Sequence, residues 1–288
     1  MTAAAVPAPD AGVSAGLRRQ IIEFRAAHPP RRAVLDGTEW MYLAGGSSSR
    51  TLLVLPGAAG RPDLAFRQMT ALEADFRILA VFYPPLHSMT ALVDGLAALL
   101  DHEGITQANV LGGSYGGVVA QCLVRRHPGR VARMVLSHTG APNPKRVPWV
   151  RVALRVLPWF PFGLLRWAMK VKLRRLLAGL PGEKQFWDEY FDETLPLFGR
   201  EDVLAAYSRV LEWDRDWRFA PGDLNAWPGK TLILESDNDP MAPPAERARL
   251  HALYPAARTH TFHDTGHISG LAKPQEYVSV VREFLLEA

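Results

Sequence analysis

The segment Gly112–Gly117, with the sequence Gly-Gly-Ser-Tyr-Gly-Gly, follows the apolar run Asn109–Leu111 and precedes the helix-like stretch Val118–Leu123. This pattern predicts a strand, a very tight turn and a helix, with Ser114 at the tip of the turn. A larger side chain two positions before or after the serine would collide across the turn, and both positions are glycine. Such a turn strains the serine backbone and directs the hydroxyl outward, as in a nucleophile elbow.

Glycine-rich turns between a strand and a helix also bind phosphate groups. The dinucleotide-binding spacing G-x-G-x-x-G is absent around residues 112–117, and no G-K-[ST] sequence ends the turn. The pattern therefore favours the nucleophile elbow, and the decision between the two depends on residues elsewhere in the chain.

The composition sets broad limits on the class of protein. The 288 residues carry a modest net charge of +4, too scattered to predict a nucleic-acid partner. The single cysteine, Cys122, excludes an internal disulfide framework and, by default, favours a cytoplasmic location. Residues 1–16 lack the features of a signal peptide and predict a disordered lead-in. The stretch 149–177 is broken by prolines and basic residues, so we do not expect it to span a membrane.

Apolar runs of strand length alternate with helical patterns over most of the chain. Asp36-Gly37 predicts the turn of a β-hairpin, and the wholly apolar run Thr51–Leu55 predicts a strand that is buried on both faces. Alternating strands and helices imply crossover connections. We therefore predict the α/β class, a mostly parallel sheet flanked by helices, with residues 17–140 and 229–288 forming one core domain.

Residues 141–228 interrupt this alternation and predict an inserted helical cap. Nine basic residues and no acidic one lie between Lys145 and Arg175, whereas Glu183–Asp216 is rich in acidic residues. One interpretation is that the two halves pack with opposite charges facing each other. The alternatives are a basic aromatic surface that contacts lipid or admits an acyl chain, and a surface that binds a protein partner.

A serine hydroxyl needs a base and an orienting carboxylate to act as a nucleophile. Asp239 follows the strand after the cap, and Pro240 fixes the chain that leaves it, so we predict Asp239 as the acid in preference to Asp237. His267 lies in a loop after the last predicted strand and is our candidate for the base. The order serine, acid, histidine is the one that this arrangement requires.

The oxyanion that forms during acyl transfer needs preorganised donors. We predict the backbone NH groups of Tyr115, which follows the serine, and of Ala58, in the glycine-rich loop after the strand Thr51–Leu55. Further candidates are assigned to the substrate pocket: Gly57, His138, Trp159 and Trp167. For His138 a structural role is the alternative, and we do not expect it to be a member of the triad.

These motifs together resemble the α/β-hydrolase fold superfamily, and the resemblance extends from about Arg31 to the end of the chain. The family motifs correspond here to Pro56-Gly57-Ala58-Ala59, the elbow Gly112–Gly116, the acid turn Ser236–Pro240 and Gly266-His267. Pro56 and Ser236 depart from the usual histidine and glycine.

A narrower set of residues resembles maspardin and its bacterial relatives. This set comprises Leu55-Pro56-Gly57, Phe66-Arg67-Gln68 and Tyr83-Pro84. That resemblance implies an adaptor with a degraded triad, whereas all three triad positions are filled in this chain.

The resemblance implies a serine hydrolase that cleaves a carboxylic ester, or a related acyl bond, through an acyl-enzyme. Alternatives on the same triad are a thioesterase, a C–C bond hydrolase or a lyase, and the alternative of another class is a non-catalytic adaptor. The expected partner is a small ester or acyl substrate, and hydrophobic substrates are included in this expectation. We expect no cofactor and no metal site, since no histidine and acidic residues occur at metal-binding spacing.

Overall fold

The computed structural model describes residues 9–177, 179–180 and 182–287. The strands are β1 (Arg31–Leu35), β2 (Thr38–Gly45), β3 (Thr51–Leu55), β4 (Arg77–Phe82), β5 (Ala108–Gly113), β6 (Val131–Ser137), β7 (Lys230–Ser236) and β8 (Arg258–Phe262). The helices are α1 (Pro9–Ala27), α2 (Phe66–Leu72), α3 (Met89–His102), α4 (Tyr115–Arg126), α5 (Val147–Val156), α6 (Phe162–Leu176), α7 (Lys184–Thr194), α8 (Arg200–Asp216), α9 (Pro244–Leu253), α10 (Ser269–Ala272) and α11 (Pro274–Leu286).

In the described part of the chain, these strands form one sheet in the order β1-β2-β4-β3-β5-β6-β7-β8. β2 pairs antiparallel with β1 and β4, and every pairing from β4 to β8 is parallel. The hairpin turn between β1 and β2 places Asp36 and Gly37 at positive φ angles, as their residue types favour. The predicted fold class, a mostly parallel sheet with flanking helices, is confirmed.

The sheet has an apolar core on each face, and β3, which is buried throughout, contributes side chains to both cores. Leu53 and Leu55 pack on the face covered by α3, α4 and α9. Leu52 and Val54 pack on the opposite face, which α1, α2 and α11 cover. Successive side chains of a strand point to opposite faces, so a strand that is apolar at every position can support both layers.

The first helix begins earlier than the sequence predicts. Residues 9–16, expected to belong to a disordered lead-in, are helical and form the first turns of α1. Ser14 is buried, donates a hydrogen bond to the carbonyl of Gly182 and accepts one from the backbone NH of Phe186. Tertiary contacts with the start of α7 therefore stabilise a segment whose composition alone predicts disorder. The remaining part of that prediction, residues 1–8, lies outside the described residues.

The inserted segment between β6 and β7 is helical and contains α5 to α8 in the described chain. Trp187 of α7 and Trp213 of α8 are almost wholly buried, one in each core of the sheet domain. The insertion is therefore anchored to the sheet by two large apolar side chains. The boundaries 141–228 remain a prediction. No helix within the described ranges is long and apolar enough to cross a membrane.

Candidate active site

Ser114 lies between β5 and α4 in the strained conformation that the elbow motif predicts. Its φ and ψ angles are 51° and −114°, a region that non-glycine residues rarely adopt. A Cβ atom on Gly112 would collide with the backbone of Gly116, and one on Gly116 would collide with the carbonyl oxygen of Leu55. The two glycines are thus required by close backbone contacts. The backbone NH of Ser114 is fixed by a 2.8 Å hydrogen bond to the carbonyl of Ser137.

The three residues predicted as a triad are brought together at the carboxyl ends of neighbouring parallel strands. Ser114 follows β5, Asp239 follows β7 and His267 follows β8. His267 Nε2 lies 3.0 Å from Ser114 Oγ, and His267 Nδ1 lies 2.8 Å from Asp239 Oδ2. With Nδ1 protonated, the ring donates to the carboxylate and its Nε2 accepts the serine proton. This is the geometry that proton transfer from the serine requires.

The Asp239 carboxylate is buried and accepts several hydrogen bonds. Its Oδ1 accepts from the backbone NH of Met241 at 2.8 Å and of Ala242 at 3.3 Å. Burial by itself raises the pKa of the carboxyl, but the hydrogen bonds from His138 and His267 outweigh this effect and hold the pKa below its usual range. Asp239 is therefore ionised at neutral pH and can orient His267.

The neighbouring pair that we did not select, Asp237 and His263, lies on the surface. His263 Nδ1 is 2.8 Å from Asp237 Oδ2, but both side chains are exposed. Asp237 also accepts from the backbone NH of Asp264. The structure thus brings His267 and Asp239 to the serine and leaves the second histidine-aspartate pair in a surface turn.

His138, which we predicted as a pocket or structural residue, is buried beside Asp239 and does not line the cavity. It is 6% exposed, and its Nδ1 lies 3.0 Å from Asp239 Oδ2. Its Nε2 lies 2.6 Å from the hydroxyl of Ser269. Burial lowers the pKa of His138 in spite of the hydrogen bond to Asp239, so the ring is neutral at neutral pH. Its Nδ1 therefore donates to the carboxylate, and its Nε2 accepts from Ser269.

No sequence pattern predicts the contact between His138 and Ser269. The two residues are 131 positions apart, and Ser269 lies in α10, two residues after His267. The φ angle of His138 is 50°, and no sequence motif signals this conformation. From the sequence, His138 can be placed only at the end of β6, the strand that neighbours β5, which precedes Ser114.

The two predicted oxyanion donors lie beside the same cavity. Ala58 and Tyr115 both line a cavity of about 280 Å³, together with Tyr83, Phe198 and Arg209. Tyr115 is the first residue of α4, so its backbone NH has no acceptor within the helix. The positive end of the helix dipole lies at the same place and favours an anion.

Gly57 lies directly against the serine. A Cβ atom at this position would be 3.8 Å from the Cβ of Ser114. A hydrogen bond of 2.9 Å from the NH of Gly60 to the carbonyl of Gly57 closes a turn that contains Ala58. The loop after β3 therefore approaches the serine as closely as an oxyanion loop must.

Trp159 and Trp167 do not line this cavity, and our prediction that they do is corrected. They are 88% and 62% exposed, on the outer side of the inserted helices. The inserted residues that reach the cavity come from the segment before α8 and from α8 itself: Leu197, Phe198, Asp202, Ala206 and Arg209. Arg209 is buried and donates from Nε to the hydroxyl of Tyr115 at 2.7 Å. A second cavity, of about 360 Å³, is lined by Arg125 and Trp227, and none of the residues that line these two cavities belongs to the triad.

Within the described ranges, His138, Asp239 and His267 also form the group whose donor atoms could hold a metal ion. These atoms lie within 4.8 Å of one another. Both histidine Nδ1 atoms already face the Asp239 carboxylate at hydrogen-bond distance. A metal ion would have to displace both protons, so the donor set fits a hydrogen-bond network better than a metal site.

Comparison with known proteins agrees with this architecture. An "Uncharacterized hydrolase YugF" of Bacillus subtilis is 22% identical over 277 residues, which cover 91% of this chain and 100% of the relative. Human maspardin is 35% identical over 104 residues, but the match covers only 34% of each chain. The crystal structure of the enol-lactonase from Burkholderia xenovorans LB400 superimposes with a TM-score of 0.71 and 22% identity, and covers 89% of this chain and 100% of that one.

The sequence profile of the alpha/beta hydrolase fold family matches most of the chain. It aligns with residues 50–274, which include the loop after β3, the elbow, the acid turn and the histidine loop. Because this match covers well over half of the chain, the protein belongs to the alpha/beta hydrolase fold family.

Proposed function

We propose that this protein hydrolyses carboxylic esters through an acyl-enzyme formed on Ser114. The observation that carries the proposal is the position of the His267 ring, whose Nε2 lies 3.0 Å from Ser114 Oγ while its Nδ1 lies 2.8 Å from Asp239 Oδ2. One imidazole thus connects a strained, outward-directed hydroxyl with a buried carboxylate that stays ionised.

In the acylation step, the Ser114 oxygen attacks the ester carbonyl carbon while its proton passes to His267 Nε2. A bond forms between Oγ and the carbonyl carbon, and the carbonyl oxygen becomes an anion. The backbone NH groups of Ala58 and Tyr115 stabilise that anion. When the intermediate collapses, the bond to the alkoxy group breaks, and the leaving oxygen takes the proton from Nε2.

Deacylation repeats the sequence with water. His267 Nε2 removes a proton from a water molecule, whose oxygen attacks the acyl carbon on Ser114. The second intermediate collapses, the bond to Oγ breaks, and the serine recovers its proton from the imidazolium. During both steps Asp239 stabilises the positive charge on the ring without taking up a proton.

The cavity favours a small acyl group. Its volume of about 280 Å³ lies just below the range of about 300–1,000 Å³ that is typical of ligand pockets. Its walls include the aromatic side chains of Tyr83 and Phe198. Burial raises the pKa of Tyr115 to about 12, so its phenol is neutral at the pH of catalysis. We expect acetyl and butyryl esters to be hydrolysed faster than long-chain esters.

Hydrolysis of p-nitrophenyl acetate and butyrate tests the proposal. The wild-type protein should release p-nitrophenol, and Ser114→Ala and His267→Gln should each lower kcat by at least about 10⁴-fold. His263→Gln is the matched control, because this histidine also hydrogen-bonds an aspartate but lies on the surface. It should retain the wild-type rate.

Two results would contradict the proposal. A Ser114→Ala variant with the wild-type rate would show that another group performs the reaction. A wild-type protein that cleaves neither oxygen esters nor thioesters would favour the alternative of a non-catalytic adaptor. If thioesters alone were cleaved, the triad would stand and the substrate class would change.

A further inference from the structure

The outer side of α5, α6 and the turn between them exposes six large apolar side chains. We call this the exposed apolar surface; it comprises Trp149, Val152, Val156, Trp159, Leu164 and Trp167. Their exposed fractions range from 50% to 88%, and they make up half of the large apolar side chains that are exposed in the described chain. A concentration of this kind marks an interaction site more often than chance exposure.

The surface follows from the helical period. In α5, Trp149, Val152 and Val156 occur at i, i+3 and i+7 and so share one face, while Val150 is buried on another. In α6, Leu164 and Trp167 are again three residues apart. Each helix therefore carries an apolar face that the rest of the described chain leaves uncovered.

The segment of the chain that carries this surface has only basic residues among its charged residues. No acidic residue occurs from Lys145 to Arg175, where nine basic residues do. Some of these are neutralised, since Lys170 and Arg174 pair with aspartates of α7. This confirms, for α6 and α7, the interpretation that opposite charges face each other.

Other basic side chains beside the surface stay available to a partner. Arg155, Lys172 and Arg175 are exposed and form no ion pair with any residue that the structure describes. Arg175 lies eleven residues after Leu164, about three helical turns, and so shares its face of α6. Arg151, on α5, is exposed as well, and its charge also acts on Asp216 at the end of α8. A second copy of the same basic surface would repel these charges, whereas an anionic surface would attract them.

The turn that carries Trp159 is held in place. Arg200 donates to the carbonyls of Leu157, Pro158 and Phe160, at 2.6, 2.8 and 3.0 Å. Arg200 begins α8, and the flanking residues Phe198 and Asp202 line the same cavity as Ala58 and Tyr115. The backbone of the turn that carries Trp159 is therefore fixed to the start of α8.

We propose that the exposed apolar surface docks this protein onto anionic lipid bilayers as a peripheral membrane contact. Tryptophan concentrates at the interface between lipid headgroups and acyl chains, where its ring is half apolar and its NH finds a partner. Basic side chains next to it add attraction to anionic lipids. This proposal does not depend on the chemistry of Ser114.

Vesicle flotation with the full chain tests the proposal. We expect the protein to float with vesicles of phosphatidylcholine and phosphatidylglycerol, and far less with phosphatidylcholine alone. Trp149→Ala/Trp159→Ala/Trp167→Ala should weaken binding at least about tenfold. Arg151→Gln/Arg155→Gln should weaken it about 30-fold, which corresponds to about 1 kcal/mol for each charge.

The matched control is Ile22→Ala/Val34→Ala, which removes exposed apolar side chains elsewhere and should bind as the wild type does. All variants should keep the wild-type melting temperature, because the substituted side chains are exposed. Vesicle binding should also shift the tryptophan emission of the wild type to shorter wavelength, and the triple variant should lose this shift.

Three outcomes would overturn the proposal. The wild type could fail to float with anionic vesicles, or the tryptophan variant could bind them as well as the control does. Dimerisation that the tryptophan variant abolishes, without any vesicle binding, would assign the surface to a second copy of the chain. Each outcome leaves the ester-hydrolysis result unaffected, so the two proposals fail separately.

Discussion

Replacement of His138 tests whether the hydrogen bond behind Asp239 positions the triad. His138→Leu removes both of the ring's hydrogen bonds, to Asp239 at 3.0 Å and to Ser269 at 2.6 Å. His138→Asn is the matched variant, because its side-chain amide can still donate toward the carboxylate. Asparagine also tolerates the positive φ angle of 50° at this position.

The structure sets the expected loss of stability. A hydrogen bond to a charged group is worth about 1.5–3 kcal/mol, and a buried hydroxyl that loses its partner costs about 1–3 kcal/mol. Leucine in the left-handed region adds about 1–2 kcal/mol. Since neighbouring effects are not additive, we expect His138→Leu to lower the free energy of unfolding by about 4 kcal/mol. His138→Asn should lose only about 1–2 kcal/mol, chiefly from Ser269.

Activity should follow the position of Asp239. In His138→Leu the carboxylate keeps its contacts with Met241, Ala242 and His267 but loses the second donor to Oδ2. A carboxylate that moves allows the His267 ring to move, and a displacement of about 1 Å costs up to about 100-fold in rate. We expect kcat/KM for p-nitrophenyl acetate to fall about 10- to 100-fold in His138→Leu and less than about fivefold in His138→Asn.

The assay measures kcat, KM and the melting temperature of both variants at a temperature where each is folded. A folded His138→Leu variant with wild-type kcat would refute a positioning role for this histidine. Equal loss of kcat in the leucine and asparagine variants would show that the donor to Asp239 is not the important feature. If the melting temperature fell while kcat and KM kept their wild-type values, His138 would have only a structural role.

Three further predictions concern the same site. Burial lowers the pKa of His138 from the ordinary value of 6.5, so the unfolded chain binds a proton at a higher pH than the folded protein does. The contribution of His138 to stability is therefore full above about pH 6.5 and is lost as the pH falls. In denaturant titrations, the difference in unfolding free energy between the wild type and His138→Asn should shrink below that pH, and a constant difference would contradict this prediction. Asp239→Asn should lower kcat by about 10⁴-fold, because the amide cannot accept from both histidines and the His267 tautomer is lost; a variant within tenfold of the wild type would contradict this. Gly116→Ala should prevent correct folding, because the new methyl group would collide with the carbonyl oxygen of Leu55. A variant that shows a native circular dichroism spectrum and melts cooperatively would disprove that the elbow requires glycine at this position.

The strands and the members of the candidate triad could be predicted from the sequence because their signals are local. After Thr51, the run Leu52–Leu55 is apolar at every position, as is typical of a strand buried on both faces. The elbow, the acid turn and the histidine loop each follow such a strand. Parallel strands end at one edge of a sheet, so residues after β5, β7 and β8 had to lie near one another.

Features that depend on distant contacts could not be predicted in this way. The helix over residues 9–16 is stabilised by the contact of Ser14 with residues 182–186, far away in the chain. The role of His138 depends on Ser269, and its positive φ angle has no sequence signature. For Trp159, in the turn between α5 and α6, and for Trp167, on α6, composition indicates an aromatic segment but not which side chains face outward.

Active-site labelling tests the central claim, that Ser114 is an activated nucleophile, most directly. The wild-type protein is treated with a fluorophosphonate, and the intact mass and the proteolytic peptides are measured by mass spectrometry. We expect one adduct, on Ser114, that is absent in Ser114→Ala and forms far more slowly in His267→Gln. A wild-type protein that stays unlabelled, or that is labelled at another residue while Ser114 remains free, would contradict it.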